Sequence, residues 1–484
     1  MIAIVDSVNT VLWGYVLVYG LLAVGLYFTW RTRFLQFRHF PEFFRVIKSS
    51  RETSAAGISP FQALTISLAS RVGTGNLAGV AVAIYLGGPG AVFWMWMVAL
   101  VGMATAYAES TLAQLYKVRN SDAQYRGGPA FYMSKGIGSN AMGYVFSLCL
   151  ILSFGLIFSA VQANSISVAM EEAFSIPRIV SGLVIGGLAG IVIFGGIKSI
   201  ARVAEKIVPG MAGLYILVAL VIVFINITEV PAMLALIVKS AFGFEAAAGG
   251  FTGGFMAALL NGVKRGLFSN EAGMGSAPNI AAVAVPDPHH PSSQGLVQGL
   301  GVFIDTLVIC TATALMILLS GAVDYSEGAP TGMALTQIAL EQHVGAFGPV
   351  FVGIAILFFA FTSIIGNYSY AENAMEFLGM GKRIPLLVLK ALVVLMVIWG
   401  SLQAVTTVFN IADASMALMA TVNLIAILIL SKTVTKLTRD YFAQRRAGKE
   451  PLFKIADYPE LGDGVDHSIW SRNVEKETKA STPE

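Results

Sequence analysis

Charge is what this sequence has least of. Only 12% of its 484 residues are Asp, Glu, Lys or Arg, while 56% are hydrophobic. Ordinary soluble proteins carry about 25% charged residues. With a mean hydropathy of +0.73, that scarcity points away from the soluble classes and toward a polytopic membrane protein. Cysteine is almost absent. Cys149 and Cys310 both sit inside apolar runs, which excludes a disulfide framework or thiolate metal site and leaves two small hydrophobes. No HExxH, GxSxG or Walker A motif occurs, which weighs against membrane enzymes and primary pumps. No Lys or Arg precedes the first apolar run, so a cleaved signal peptide is not expected. The basic residues lie in short clusters between apolar runs, so the net charge of +3 carries no nucleic-acid signature. Neither a nucleic-acid partner nor a bound cofactor is expected.

What is present is a series of long apolar runs. A helix needs about 20 apolar residues to cross a bilayer. Eleven candidate spans satisfy this, at roughly 11–30, 60–86, 91–116, 141–173, 178–196, 207–227, 251–284, 293–321, 347–378, 384–403 and 407–432. The fold class expected is an all-α polytopic membrane protein with about eleven transmembrane helices. Basic residues follow alternate spans: Arg31, Arg33, Arg38, Arg45, Lys48 and Arg51 after the first, Lys117, Arg119, Arg126 and Lys135 after the third, and Lys198, Arg202 and Lys206 after the fifth. Lys382 and Arg383 follow the ninth, and Lys432, Lys436 and Arg439 the eleventh. By the positive-inside rule these segments face the cytoplasm, with the N-terminus outside and the C-terminus inside. The 322–346 loop has no Lys or Arg, as an outer loop should. The segment 230–242 is too short to span. The tail after residue 433 reads as a cytoplasmic helix followed by a disordered end, EKETKASTPE.

Two spans are broken. RVGTGN (71–76) and SNEAGMGSAPN (269–279) place GxG at mid-run. A lone GxG is readily explained by close helix packing. Two breaks, each opening one half of the chain, point instead to a secondary transporter site. Irregular backbone survives in a membrane only where protein or a water-filled cavity covers it. Half-helix N-termini favour carboxylates, and half-helix carbonyls favour hard cations. From the second span on, the chain divides five plus five. An odd number per half makes the repeats inverted. The boundaries expected are 1–59 for an extra helix and basic segment, 60–227 and 228–433 for the repeats, and 434–484 for the tail.

The stretches RVGTGNLAGVAVAIYLGGPGAVFWMWMVALVGMATAYAE and NGVKRGLFSNEAGMGSAPN, with GGIKSIARVAEKIVPGMAGLYI (195–216) and DTLVICTATALMIL (305–318), resemble the alanine/glycine:cation symporter family. The resemblance covers about residues 15–435. It implies a LeuT-type fold of the amino acid/polyamine/organocation superfamily and symport of a small neutral amino acid with sodium, a proton being the alternative coupling ion. It implies substrate binding by Gly73, Thr74, Gly75 and Asn76 of the first break and Gly273, Met274 and Gly275 of the second. Phe268 would be a gate, Gln162 a pocket wall with Ser165 and Asn164 nearby, and Asn367 a further pocket residue. Many members carry Trp at that last position, and a smaller polar residue leaves serine or glutamine open as substrates. Sodium would lie between Thr362, Ser363 and the carbonyls of Ala69 and Val72, an all-oxygen set that suits a hard cation. A single chain would suffice.

Ionisable residues at membrane depth are costly and usually functional. Arg71, Glu109, Glu271 and Asp305 qualify, as do Lys264, Arg265 and Asp413. Arg71 is expected to pair with Glu271 or Glu109, and Asp305 to approach the cation. A buried structural ion network is the competing reading for each. Lys206 reads as a surface anchor. GGPAFYM (127–133) reads as a loop with little bearing on substrate, GGPG (87–90) as a tight turn, and His289-His290 as part of a solvated loop.

Overall fold

The computed structural model describes residues 2–49, 57–120, 124–243 and 250–470. Arg51 and the terminal EKETKASTPE lie outside them. The described residues are almost entirely helical, with one two-residue hairpin pairing Val118–Arg119 and Tyr125–Arg126. Among the described residues, eight helices are long and apolar enough to cross a membrane: Val5–Arg31, Gly90–Leu115, Asn140–Phe174, Ser199–Ile225, Pro291–Ser320, Phe347–Phe377, Arg383–Leu402 and Val405–Ile429. Arg178–Phe194 is a shorter apolar helix.

The remaining two expected spans are not single helices. The first divides into Pro60–Arg71 and Gly75–Gly87. Its start is sharply defined. Pro60 sits where the helix needs no N–H, and Ser59 and Gln62 cap each other reciprocally. Its first half stops because Val72 turns to an extended conformation, ψ 96°. The second divides into Gly250–Asn270 and Pro278–Val283. Ile58 and Ala284 form a parallel bridge, with Val285 N–H donating to the Ile58 carbonyl at 2.9 Å. The start of the first broken helix and the end of the second therefore lie side by side.

The layering is that of a membrane protein. The Arg178–Phe194 and Arg383–Leu402 helices leave Leu183, Leu188, Ile191, Ile384, Leu387 and Leu395 exposed, as lipid-facing positions are. Every residue of Gly102–Leu115 and of Pro291–Val302 is buried. Those two helices pack on each other and on the broken pair. The polar residues concentrate there, where protein shields them from lipid. Among the described residues, five π-helical segments interrupt the helices, at Leu12–Leu17, Gly75–Gly79, Tyr132–Gly136, Ile151–Phe158 and Phe303–Cys310. Such wide turns recur at functional sites.

One expectation about the periphery is corrected. The tail forms the helix Ser431–Arg446, and the chain then folds back through residues 447–470. Gln444 holds Leu452 through both amide atoms, Phe453 N–H donates to the His289 carbonyl at 2.9 Å, and the Trp470 indole donates to the Leu115 carbonyl at 3.2 Å. The histidine pair is correspondingly not solvated. His290 is fully buried; its Nδ1 accepts from Ser292 N–H, which leaves Nε2–H for Asp440 at 3.2 Å. His289 packs against Trp470. A Pro-rich polar loop carries no sequence sign of a partner that arrives 150 residues later. The 322–346 stretch contains the helix Met333–Val344, whose Thr336 hydroxyl donates to the Leu77 carbonyl. Residues 230–242 include the 12-residue helix Val230–Ala241. Lys206 is exposed.

Candidate functional site

The first break gathers side chains from four other helices. Thr74 N–H donates to Gln162 Oε1 at 2.9 Å, and Gly73 N–H to Asn76 Oδ1 at 3.0 Å. Ser363 Oγ donates toward carbonyl oxygens of the first half-helix, 2.8 Å from Ala69 and 3.4 Å from Val72. It is also 3.0 Å from the Phe359 carbonyl. Three carbonyls and a hydroxyl thus converge. Thr362 Oγ1 is engaged with the Phe359 carbonyl at 2.9 Å. A Cβ on Gly73 would fall 2.5 Å from Ser363 Oγ and 2.6 Å from Gln162 Oε1. Glycine is needed there for space. Thr74 Oγ1 is buried and has no partner among the described residues.

Asn76 turns the other way. Its Nδ2 reaches Asp305 Oδ1 at 2.7 Å and Ser269 Oγ at 3.2 Å. Ser269 Oγ and Thr306 Oγ1 also donate to Asp305, at 2.5 and 2.8 Å. Asp305 is therefore satisfied by neutral donors. No hydrogen bond joins it to Thr362 or Ser363 among the described residues.

Phe268 packs beside Gly75, stacks on Phe158 and lies tilted against Phe409, with ring centroids at 4.9 and 5.5 Å. The Arg265 guanidinium covers Phe268 and Phe409 at 5.6 and 5.2 Å and pairs with both oxygens of Asp413, at 2.6 and 2.5 Å. Lys264 joins at 3.2 Å. Lys264, Arg265 and Asp413 are thus the ion network that the competing reading described.

The second break runs from Glu271, φ 58°, through Gly273, φ 93°, and Gly275, φ 81°. These are left-handed conformations that favour glycine. The break's glycines do not face the first break. Gly273 N–H donates to Glu109, and Asn423 Nδ2 bridges Glu109 (2.8 Å) and the Gly273 carbonyl (3.0 Å). A Cβ on Gly275 would meet Phe146, Pro129 and Asn423. Met274 is buried and its N–H returns to the Glu271 carbonyl. The residues of the second helix that touch the first break are Phe268 and Ser269, one turn earlier. The 127–133 stretch is also closer to the centre than a loop would be. Tyr132 hydrogen-bonds Asn423, and the Gly127 carbonyl accepts from Asn373.

The expected pairing of Arg71 is not formed. Its guanidinium is buried and feels the charges of Glu271, Glu109 and Asp305, but its hydrogen bond goes to the Gln298 carbonyl at 3.3 Å. What ties the breaks together is Ser70. Its hydroxyl lies 3.1 Å from Glu271 Oε1 and 2.5 Å from Asn367 Oδ1, while Ser276 holds the other Glu271 oxygen at 2.5 Å. One hydroxyl proton cannot serve both acceptors. With Glu271 taking it, Asn367 must turn its amide so that the N–H₂ donates to Ser70, and its oxygen then occupies the buried, unpartnered position now assigned to Nδ2. Of the nearby polar residues, Asn164 binds the carbonyls of Gly400 and Gln403. Ser70 and Asn423 escaped sequence reasoning, because a single small polar residue in an apolar run has no signature until its partner is known.

This arrangement defines a multi-pass helical membrane protein with two interrupted helices around a shielded polar centre. Residues 1–455 match the sodium:alanine symporter family, and the chain belongs to that family. It is therefore placed among symporters and not among enzymes. It is 50% identical over 451 residues to the probable sodium/glutamine symporter GlnT of Bacillus subtilis (strain 168), covering 93% of this chain and 92% of the relative. It is 48% identical over 459 residues to the amino-acid carrier protein AlsT of the same organism, covering 95% and 96%. It is 39% identical over 443 residues to the sodium/proton-dependent alanine carrier protein of Bacillus sp. (strain PS3), covering 89% and 98%.

Proposed function

We propose that the chain is a sodium-coupled symporter of neutral amino acids that works by alternating access. The observation that carries this reading is the first break, where carbonyls of Ala69 and Val72 converge on Ser363 beside backbone held by Gln162. Carbonyl and hydroxyl oxygens without a carboxylate suit a singly charged hard cation, with Thr362 the adjacent hydroxyl. N–H groups of Thr74 and Gly75 start the second half-helix, where its dipole favours a substrate carboxylate. One short segment then binds ion and zwitterion together, which couples them. The two broken helices plus Arg178–Phe194 bring eight passes to eleven. The parallel bridge at Ile58 and Ala284 supports an inverted five-plus-five repeat with one extra N-terminal helix, over the boundaries 1–59, 60–227, 228–433 and 434–484. The N-terminus is outside, the C-terminus is cytoplasmic, and a monomer suffices.

Alanine and glycine are the first substrates to test. Asn367 favours a second reading. Its buried amide atom without a partner suits a ligand with a polar side chain, such as glutamine or serine, and the relative at 50% identity is named for glutamine. The test is uptake into proteoliposomes under an inward sodium gradient, a proton gradient, or neither. Accumulation of alanine or glutamine only with sodium is the expected result. Accumulation driven by protons alone would overturn the coupling ion. Tight binding without uptake or counterflow would make the protein an amino-acid sensor.

A further inference from the structure

A cluster of basic side chains lies outside the broken helices. The first long helix ends at Arg31, and the chain then reverses through Arg33 and Phe34, both at positive φ (58° and 59°). The reversal lays Arg33, Arg38 and His39 against the last turns of the Ser431–Arg446 helix. Arg31, Arg33, Arg38, His39, Arg439 and Arg446 together line a small open cavity of about 50 Å³. Two separate observations hold its shape. Arg31 Nε donates to Thr435 at 3.2 Å, and the His39 ring stacks on Phe442 at 4.0 Å.

Among the described residues none of these five arginines pairs with a carboxylate. Glu42, the acid that acts on His39, is already taken by Arg45 (3.2 Å), Arg445 (2.7 Å) and Tyr441 (2.9 Å). The excess charge is felt at His39. Burial first, then Arg38 and Arg446, hold that imidazole below its ordinary range, with Glu42 opposing. Neighbouring surface places the cavity at a membrane interface. Trp30, Phe34, Phe37 and Phe44 are exposed around it, which is the aromatic arrangement found at headgroup depth.

We propose that this arginine cavity is a binding site for a phosphate-bearing anion, delivered as the headgroup of an anionic lipid. Guanidinium groups bind phosphate oxygens in pairs, and several basic residues beside a membrane span recognise anionic headgroups. A headgroup there would join the end of the first helix to the C-terminal helix. Asp440 on that helix carries the contact to His290, so an occupied site would brace the folded-back tail. The proposal does not depend on what is transported.

The test is thermal unfolding of the purified full chain in neutral detergent. The probes are phosphatidylglycerol in mixed micelles, phosphatidylcholine, and inorganic phosphate. Phosphatidylglycerol should raise the unfolding temperature and phosphatidylcholine should not. The double variant Arg33→Gln/Arg439→Gln should need at least about tenfold more phosphatidylglycerol for half the shift. The control Lys382→Gln/Arg383→Gln, which removes the same charge from exposed positions elsewhere, should respond as the parent does. If the double variant does not fold, Arg33→Gln alone is measured. A matching shift with inorganic phosphate assigns the same cavity to the free anion. Equal responses of the cavity variant and the control overturn the proposal.

Discussion

The two breaks look alike in sequence, GTG and GMG, yet glycine serves different purposes in them. In the first, Gly73 is not left-handed; it is there because Ser363 and Gln162 close on it from either side. In the second, Gly273 and Gly275 take backbone conformations that other residues resist, and Glu271 takes one without being glycine. One break makes room for side chains of neighbouring helices. The other bends the chain and is fastened by Glu109, Asn423 and Ser276. The comparison teaches that a site of contact and a structural hinge share one composition signal.

Gly73→Ala should have the largest effect. The added methyl displaces Ser363 and Gln162, so sodium-driven uptake should fall at least about tenfold, the equivalent of ~1.4 kcal/mol. The unfolding temperature should change little. Uptake retained in this variant would break the distinction between the breaks. Ser363→Ala comes next. It removes one hydroxyl from the carbonyl cluster, and the sodium concentration for half-maximal uptake should rise several-fold at unchanged protein level. An unchanged sodium dependence would move the ion elsewhere. Gly275→Ala should do the reverse of Gly73→Ala. A left-handed alanine costs about 1–3 kcal/mol, and its methyl meets Phe146, Pro129 and Asn423. Yield and thermal stability should drop while the surviving protein keeps its substrate affinity.

The smallest effect concerns the contact between the folded-back tail and His289. Burial pushes His289 down to about 4, with Lys117 adding to it, and burial lowers His290 as well. A histidine whose folded value is depressed stays neutral in the fold while the unfolded chain takes the proton. Its contribution is present above about pH 6.5 and is lost as pH falls toward 4. Proteolysis of the 447–470 segment in detergent should accelerate over that window. His289→Gln should flatten the pH dependence, and a variant as pH-sensitive as the parent would remove His289 as the cause.

Much of the fold is legible from the sequence because bilayer thickness imposes one length on every apolar run. The breaks were legible because glycine and polar residues are expensive at mid-membrane. The partners were less so. Asn367 and Ser363 stand out as polar residues on an apolar helix, but Ser70 gains meaning only when Glu271 arrives from 201 residues away. Arg71 was misread because opposite charges near one another in a membrane suggest a pair, whereas hydroxyls and backbone satisfy these carboxylates. The burial of His289 and His290 depends on Trp470 and Phe453, residues that read as part of a polar tail.

The π-helical segments carry one more consequence. Asn76 and Asp305 both lie within such wide turns. Each wide turn holds a surplus residue, so the helix beyond it is out of phase with the helix before it. Removing a single residue from Phe303–Cys310 would restore ordinary winding, with the loss taken up inside the wide turn and the residues within it re-aimed. Asp305 and Cys310 could not then both face Asn76. The centre is in this sense counted as well as composed: it tolerates an exchange of apolar side chains far better than a change in their number.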